Sequence, residues 1–478
     1  MTYIIGELFK KGIAMELIDR VVKAREYKAE VYRELHENPI NLDELFDAVT
    51  GTIRHQYVGF PHKQQYYTPA EYHTYVFTHF RYQDLTYEML VRSLHQFIGD
   101  LHDRHIKLLC DDWIDYRNLA MKYRVRATED TLYVTSADPE TGLMAGDKIL
   151  QIQGMTPQKV RKLTRNNCFY SRYPERELWG GYLRMAESLL VEHADGKRET
   201  MRMKLFPASE HVLSPSQAYP ISFWQIPCKN GSAVCLQLQR MDSEVISNIC
   251  QKYKDEIAHA ALLILDLRRC IGGDEGAGWE LFPYLIDKET SLQELLGDEG
   301  SYVLCTKENC ALRISQLQTY AQQLASLDSG EPADKEALAM IESEIRFYRE
   351  NMGKGLTFRP ADSIDDENIT PASEAPARIV VLTDTFCENE GEQFVSMCRR
   401  CGKKVTLLGR PTMGTLDYDD NINLQVHPHM TLSYPIRMTK AAHDGRGISE
   451  KGIAPDIYIP WTPDEIHRDI LLERTLGL

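Results

Sequence analysis

The chain has 478 residues, 43% hydrophobic and 26% charged, with 55 Lys and Arg against 70 Asp and Glu, a formal net charge of −15. That length exceeds a single core and calls for several domains. The acidic balance argues against a nucleic-acid or anionic-membrane partner, either of which favours a basic face. No run of about 18 apolar residues is present to form a transmembrane helix. The first ten residues, MTYIIGELFK, lack the charged start, apolar stretch and small-residue cleavage site of a secretory leader, so a cytoplasmic protein is expected. Eleven cysteines scatter without an even framework, as reduced thiols do. Cys398 and Cys401 form a C-x-x-C with no second pair at metal spacing, so no metal site is expected.

In chain order, apolar residues recur at three and four in residues 13–22 and 87–97, predicting helices. The aromatic and histidine-rich stretch between them, 55–82, reads mainly as packing between helices. Residues 124–127 and 131–135 alternate as strands and lead into GLMAGDKILQIQGM at 142–155. From about 218 the pattern becomes α/β, with a strand over 232–239, a helix over 243–257 and a buried strand over 261–267. A helix is expected from about Glu275. Residues 311–327 and 333–352 then read as a helical pair joined by Ser-Gly-Glu-Pro, inside an insertion. Regular α/β structure resumes with a strand over 378–383, a helix over about 389–401, a strand over 404–409 and a hairpin near 421–426 and 430–438.

The 142–155 segment resembles the GL..GD.IL.I.G signature of PDZ domains, with Gly142, Gly146, Asp147 and Gly154 at the matching places. PDZ-like modules bind peptide ends by adding a strand to a sheet edge. The resemblance assigns peptide binding to Gly142 and Leu143.

Four further segments, in order, resemble the C-terminal processing (tail-specific) and tricorn-like serine peptidases. LHDRHIKL at 101–108 is similar to L.D.H..L, and the resemblance makes His105 the general base. LDLRRCIGG at 265–273 looks like LDLR.N.GG, whose turn supplies an oxyanion N–H from Gly272 and Gly273. Only glycine lets the main chain approach a carbonyl so closely. Cys270 stands where the family has asparagine, which predicts a less organised loop. VLTDTFCENEGEQF at 381–394 resembles the nucleophile segment, with Asn389 in place of the serine and Glu390 at the second oxyanion N–H. GRPTMGT at 409–415 and SEKGIAPDI at 449–457 resemble G..T.G and G(I/V).PD(I/V). Thr415 takes the place of the lysine base of the bacterial branch, and Ser449 that of the assisting glutamate, leaving Glu450 as the orienting carboxylate.

A carboxamide does not attack a peptide carbonyl as a serine alkoxide does, because its nitrogen lone pair is delocalised. Asparagine is a good helix N-cap, so Asn389 is expected to cap the helix it opens. Asp384, Glu388, Glu390 and Glu392 read as a solvated helix start. The resemblance implies a crotonase-like (ClpP/crotonase) α/β core, a PDZ-like β module and a helical N-terminal region. Their expected bounds are 218–478 with a helical insertion at about 288–375, 118–206, and 1–112. It also implies recognition of extended polypeptide with a free C-terminus, without metal or organic cofactor. Three functional readings stand: an impaired peptidase that retains peptide binding, an active hydrolase with Cys387 as a relocated nucleophile beside His105, and a serine peptidase in which Asn389 replaces a native serine.

Overall fold

A computed structural model of the chain describes residues 42–67, 87–110, 119–163, 173–184, 186–203, 206–207, 220–229, 231–327, 332–361 and 368–477. The helix expected over 13–22 and the 68–82 part of the aromatic stretch lie outside them. Two compact units emerge, each assembled from separated stretches of sequence.

The first unit combines residues up to 116 with 299–362 and 417–447. Its helix Tyr87–Gly99 turns Leu90, Val91, Leu94, Phe97 and Ile98 inward, the one-sided spacing of an amphipathic helix. The strand Met430–Thr439 organises a five-stranded antiparallel sheet. It pairs with Lys107–Cys110, Ser301–Cys305 and Tyr418–His427, and Gly355–Arg359 adds to Ser301–Cys305. The helices Lys307–Leu327 and Pro332–Asn351 flank this sheet and share its core through Leu317, Leu324, Ile341 and Tyr348. The expected helical insertion therefore also supplies two strands of this sheet, and the expected helical N-terminal region supplies one. In SYVLC at 301–305 only Val303 and Cys305 are buried, the period of two that a strand with one covered face requires. From 55 to 67 the aromatic stretch is packing: Tyr67 lies edge-on to Phe60 and Phe97.

The second unit combines 117–298, 363–416 and 448–478. Its main sheet runs Ile457–Tyr458, Val405–Gly409, Ile379–Thr383, Leu262–Asp266, Gly231–Leu238 and Ile221–Cys228, parallel throughout except for the last pair. Leu262–Asp266 and Ile379–Thr383 are buried at every residue, which is why they read as unbroken apolar runs. The helix expected over 243–257 is broken at Tyr253 into Ser243–Lys252 and Lys254–Ala258. The helix expected from Glu275 is absent. Gly272, Gly273, Gly276 and Gly278 all take positive φ, so only short turns form before Phe282–Leu285.

A smaller five-stranded antiparallel sheet, Tyr123–Ala127, Leu132–Ala137, Lys148–Ile152, Ser188–Glu192 and Arg198–Arg202, encloses its own core around Ile149, Ile152, Trp179 and Val191. Arg176 of this module is 2% exposed and donates to four carbonyls of the main core, those of Thr412, Met413, Glu450 and Lys451. Arg126 reaches Asp384 at 2.8 Å, which also takes Arg410 at 3.1 Å.

Candidate functional site

Two loops leave the carboxyl ends of adjacent parallel strands of the second unit, the position at which open α/β sheets build ligand sites. The first follows Leu262–Asp266. Arg268 turns back onto Asp266 at 2.7 Å and outward to Asp469 at 2.7 Å, which anchors the start of the loop. Met241 brackets its end: its N–H donates to Gly272 O at 2.8 Å, and its carbonyl accepts from Asp274 N–H at 2.8 Å. Gly272 and Gly273 have φ of 93° and 148°. A side chain at Gly273 would collide with the Met241 carbonyl, and one at Gly272 with the Glu390 carboxylate and, at 2.7 Å, with Asn389 Cβ.

The second loop follows Ile379–Thr383 and ends at Asn389, whose backbone sits at φ 53°, ψ −129°. For a residue with a Cβ that conformation costs about 1–3 kcal/mol and persists only where the surroundings enforce it. The enforcement is visible. Asn389 N–H donates to Thr415 Oγ1 at 2.8 Å, Glu388 N–H to Cys270 O at 2.9 Å, and Asn389 Nδ2 to Ile271 O at 3.2 Å. Beneath the turn Glu392 is fully buried. It accepts from Thr412 Oγ1 at 2.5 Å and from Gly414 N, Thr415 N and Thr415 Oγ1, each at 2.6 Å. Burial pushes its carboxyl up against the pull of these donors. Thr415 is thus a relay, accepting from Asn389 and donating to Glu392. Glu390 points the other way, and its Oε2 accepts the Gly273 N–H at 2.8 Å on the solvent-accessible side of the turn.

The first unit holds a separate polar cluster. His105 N–H donates to Asp103 Oδ1 at 2.9 Å, folding the pair into a tight turn. His105 Nδ1 lies 3.3 Å from the same oxygen, an ion-pair distance whose angle falls short of a good hydrogen bond. Tyr57 Oη donates to Asp103 Oδ2 at 2.6 Å, and Asn421 Nδ2 donates to His105 O at 2.8 Å. Burial disfavours the imidazolium, but the adjacent Asp103 carboxylate, aided by the charge of Asp419, outweighs it, and the His105 pKa is raised. Burial likewise works against the Asp103 carboxylate, and His105 and Tyr57 hold its pKa down.

Residues 233–459 match the model of peptidase family S41. The crystal structure of mature CPAF superposes with a TM-score of 0.59 at 14% identity, covering 90% of this chain and 95% of that one. Mature CPAF complexed with lactacystin gives 0.58 at 14% identity, covering 90% and 96%. This is the S41 peptidase fold. The photosystem II D1 C-terminal processing protease matches at 12% identity, covering 92% and 97%, with a TM-score of 0.40. No curated protein matches the sequence.

Within this S41-like frame several expectations need correction. Asn389 precedes the helix Glu390–Cys398 but makes no capping bond, because its strained backbone sends the side chain to Ile271 instead. The acidic residues around it are not a solvated helix start: Asp384 is ion-paired to Arg126 and Arg410, and Glu392 is buried. Cys270 does not loosen its loop. It is buried, its carbonyl ties down Glu388, and a side chain at Gly391 would run into its sulfur. Cys387 is also fully buried, and burial, reinforced by Cys270 and Glu392, drives its thiol well above the ordinary range. A nucleophilic thiol requires the opposite environment.

The Gly142–Leu143 loop has its amides engaged internally. Gly142 N–H donates to Pro139 O at 3.2 Å and Leu143 N–H to Thr141 Oγ1 at 3.1 Å, so neither is presented to a peptide carboxylate. The carboxylate against His105 is Asp103. Glu450 sits at φ 68°, with its carbonyl held by Arg176. Sequence reasoning gave no role to Asp103, Tyr57, Thr415 or Arg176. Asp103 was nonetheless in plain view, two residues before His105 in the same motif. Among the described residues no group of three or more His, Cys, Asp or Glu is arranged to hold a metal ion, and no helix is long and apolar enough to cross a membrane.

Proposed function

We propose that this is an S41-like protein that binds extended polypeptide without cleaving it. The observation that carries the reading is the turn at position 389. A side chain without a nucleophilic lone pair occupies it, tied to Ile271 O, while the neighbouring Glu390 carboxylate engages the Gly273 N–H. Acyl transfer needs a nucleophile and a vacant pair of donors for the developing oxyanion. The relocated-nucleophile reading is disfavoured by the burial of Cys387. A crotonase-like description of the core and a PDZ-like description of the β-module belong to the same proposal. They are supported by the parallel sheet with its glycine turn, and by a compact five-stranded antiparallel module clamped to that core through Arg176. The ten described cysteines are all free thiols, which supports a reducing compartment.

The test is mass-spectrometric analysis of a panel of unstructured peptides with free C-termini, incubated with the protein and separately passed over it in immobilised form. Retention without cleavage is expected. Cleavage that disappears in both Cys387→Ala and His105→Ala would establish an enzyme and end this reading.

A further inference from the structure

We infer that the Gly272–Gly273 turn is a receptor for a peptide's terminal carboxylate, held closed in the free protein by the chain's own Glu390. This rests on the peptide-binding reading above and names the group that the site grips.

The turn is built to present Gly273 N–H outward. Met241 straps the backbone on the inner side through its N–H and carbonyl, and no side chain fits at Gly273 without meeting that carbonyl. The N–H therefore faces the accessible side of the loop in a fixed direction. What it meets there is a carboxylate oxygen, Glu390 Oε2, at 2.8 Å. A carboxylate is planar and carries its charge over two oxygens, unlike the tetrahedral oxyanion of acyl transfer. In the molecule itself this N–H donates to a carboxylate oxygen. Glycine at 272 is part of the fit, since a Cβ there would occupy the space that the Glu390 carboxylate now fills.

Glu390 is only partly buried, and its neighbour Asn389 is pinned through both backbone and side chain. Movement of the Glu390 carboxylate off Gly273 opens the donor while these ties hold Asn389 in place. A peptide terminus has the same carboxylate chemistry, but an internal or amidated peptide brings a neutral carbonyl that competes poorly with a tethered anion. Hydrogen bonds to charged groups are worth more than neutral ones by enough to shift an equilibrium about tenfold. The tether gives Glu390 a standing advantage in effective concentration, so its removal strengthens carboxylate binding selectively.

The experiment measures affinities by fluorescence anisotropy for one labelled peptide in free-acid and amidated forms, with the unmodified protein, Glu390→Ala and Glu390→Gln. Glu390→Ala is expected to bind the free acid about tenfold more tightly with the amide unchanged, and Glu390→Gln to show a smaller gain in the same direction. In protein labelled with 15N-glycine, the Gly273 amide resonance of Glu390→Ala moves on addition of the free acid and not of the amide. Equal gains for acid and amide, or an unchanged acid affinity in a folded variant, would overturn the inference while leaving peptide binding intact. Absence of binding by every form would overturn the peptide-binding reading and this inference with it.

Discussion

The cluster around His105 and the turn around Asn389 each set an acidic side chain against a functional group, with opposite results. In the first, Asp103 lies against an imidazole and raises its proton affinity. In the second, Glu390 lies against a backbone donor and occupies it. One carboxylate strengthens a proton site, and the other fills a backbone hydrogen-bond donor. Each arrangement is built within its own unit.

The largest expected effect comes from the support beneath the turn. Glu392→Ala leaves four buried donors without their acceptor and should cost about 3 kcal/mol or more in chemical denaturation. A cost under about 1 kcal/mol would show that the turn is held without it. Arg176→Met should follow at about 2–3 kcal/mol, since it strips a donor from four carbonyls. Hydrogen exchange should rise at 412–415 and 450–453 in that variant and stay unchanged in the His105 unit. A rise in both units would break the separation drawn above.

Asp103→Asn addresses the other cluster and should cost about 1–2 kcal/mol at pH 6. With the carboxylate gone, burial and Lys107 lower the His105 pKa against the remaining charge of Asp419, and its value, read by NMR titration, should fall from above its ordinary value to below it. The sign of the pH dependence follows. In the unmodified protein the stability contributed by protonated His105 is present in full below about pH 6.5, and is lost as pH rises through its raised folded value. In Asp103→Asn the His105 contribution should instead improve with rising pH. Smallest of all, Asn389→Gly exchanges a relieved backbone for a lost amide bond and a looser unfolded chain, and should leave stability within about 0.5 kcal/mol. A large loss would mean that the Asn389–Ile271 bond, rather than the Thr415–Glu392 relay, fixes the turn.

The central strands were legible in the sequence because burial on both faces writes an unbroken apolar run, as at 261–267 and 378–383. The Gly272–Gly273 turn was legible because its Asp-Leu-Arg prefix and paired glycines have few other uses. What stayed hidden was set by tertiary pairing. Five-residue strands such as Ser301–Cys305 carry too weak a local signal to outcompete the long helices beside them. The direction in which Glu390 points, and the engaged amides of Gly142 and Leu143, depend on one hydrogen bond each. Periodicity does not encode such choices. The misreading of Asn389 as a cap has the same origin, since a good capping residue type says nothing of the backbone angles imposed on it.

The strand Met430–Thr439 lies late in the chain, yet it pairs with Lys107–Cys110 and Ser301–Cys305 from far earlier stretches. On the ribosome, these two segments must wait for it through more than a hundred further residues of synthesis. Contacts of such long sequence separation close slowly, and unpaired strand edges invite the wrong partner in the meantime. The sheet of the first unit is therefore completed only late in synthesis, and its early strands need protection until then. Premature termination before residue 430 would leave the segment that follows His105 without the strand on which it is laid.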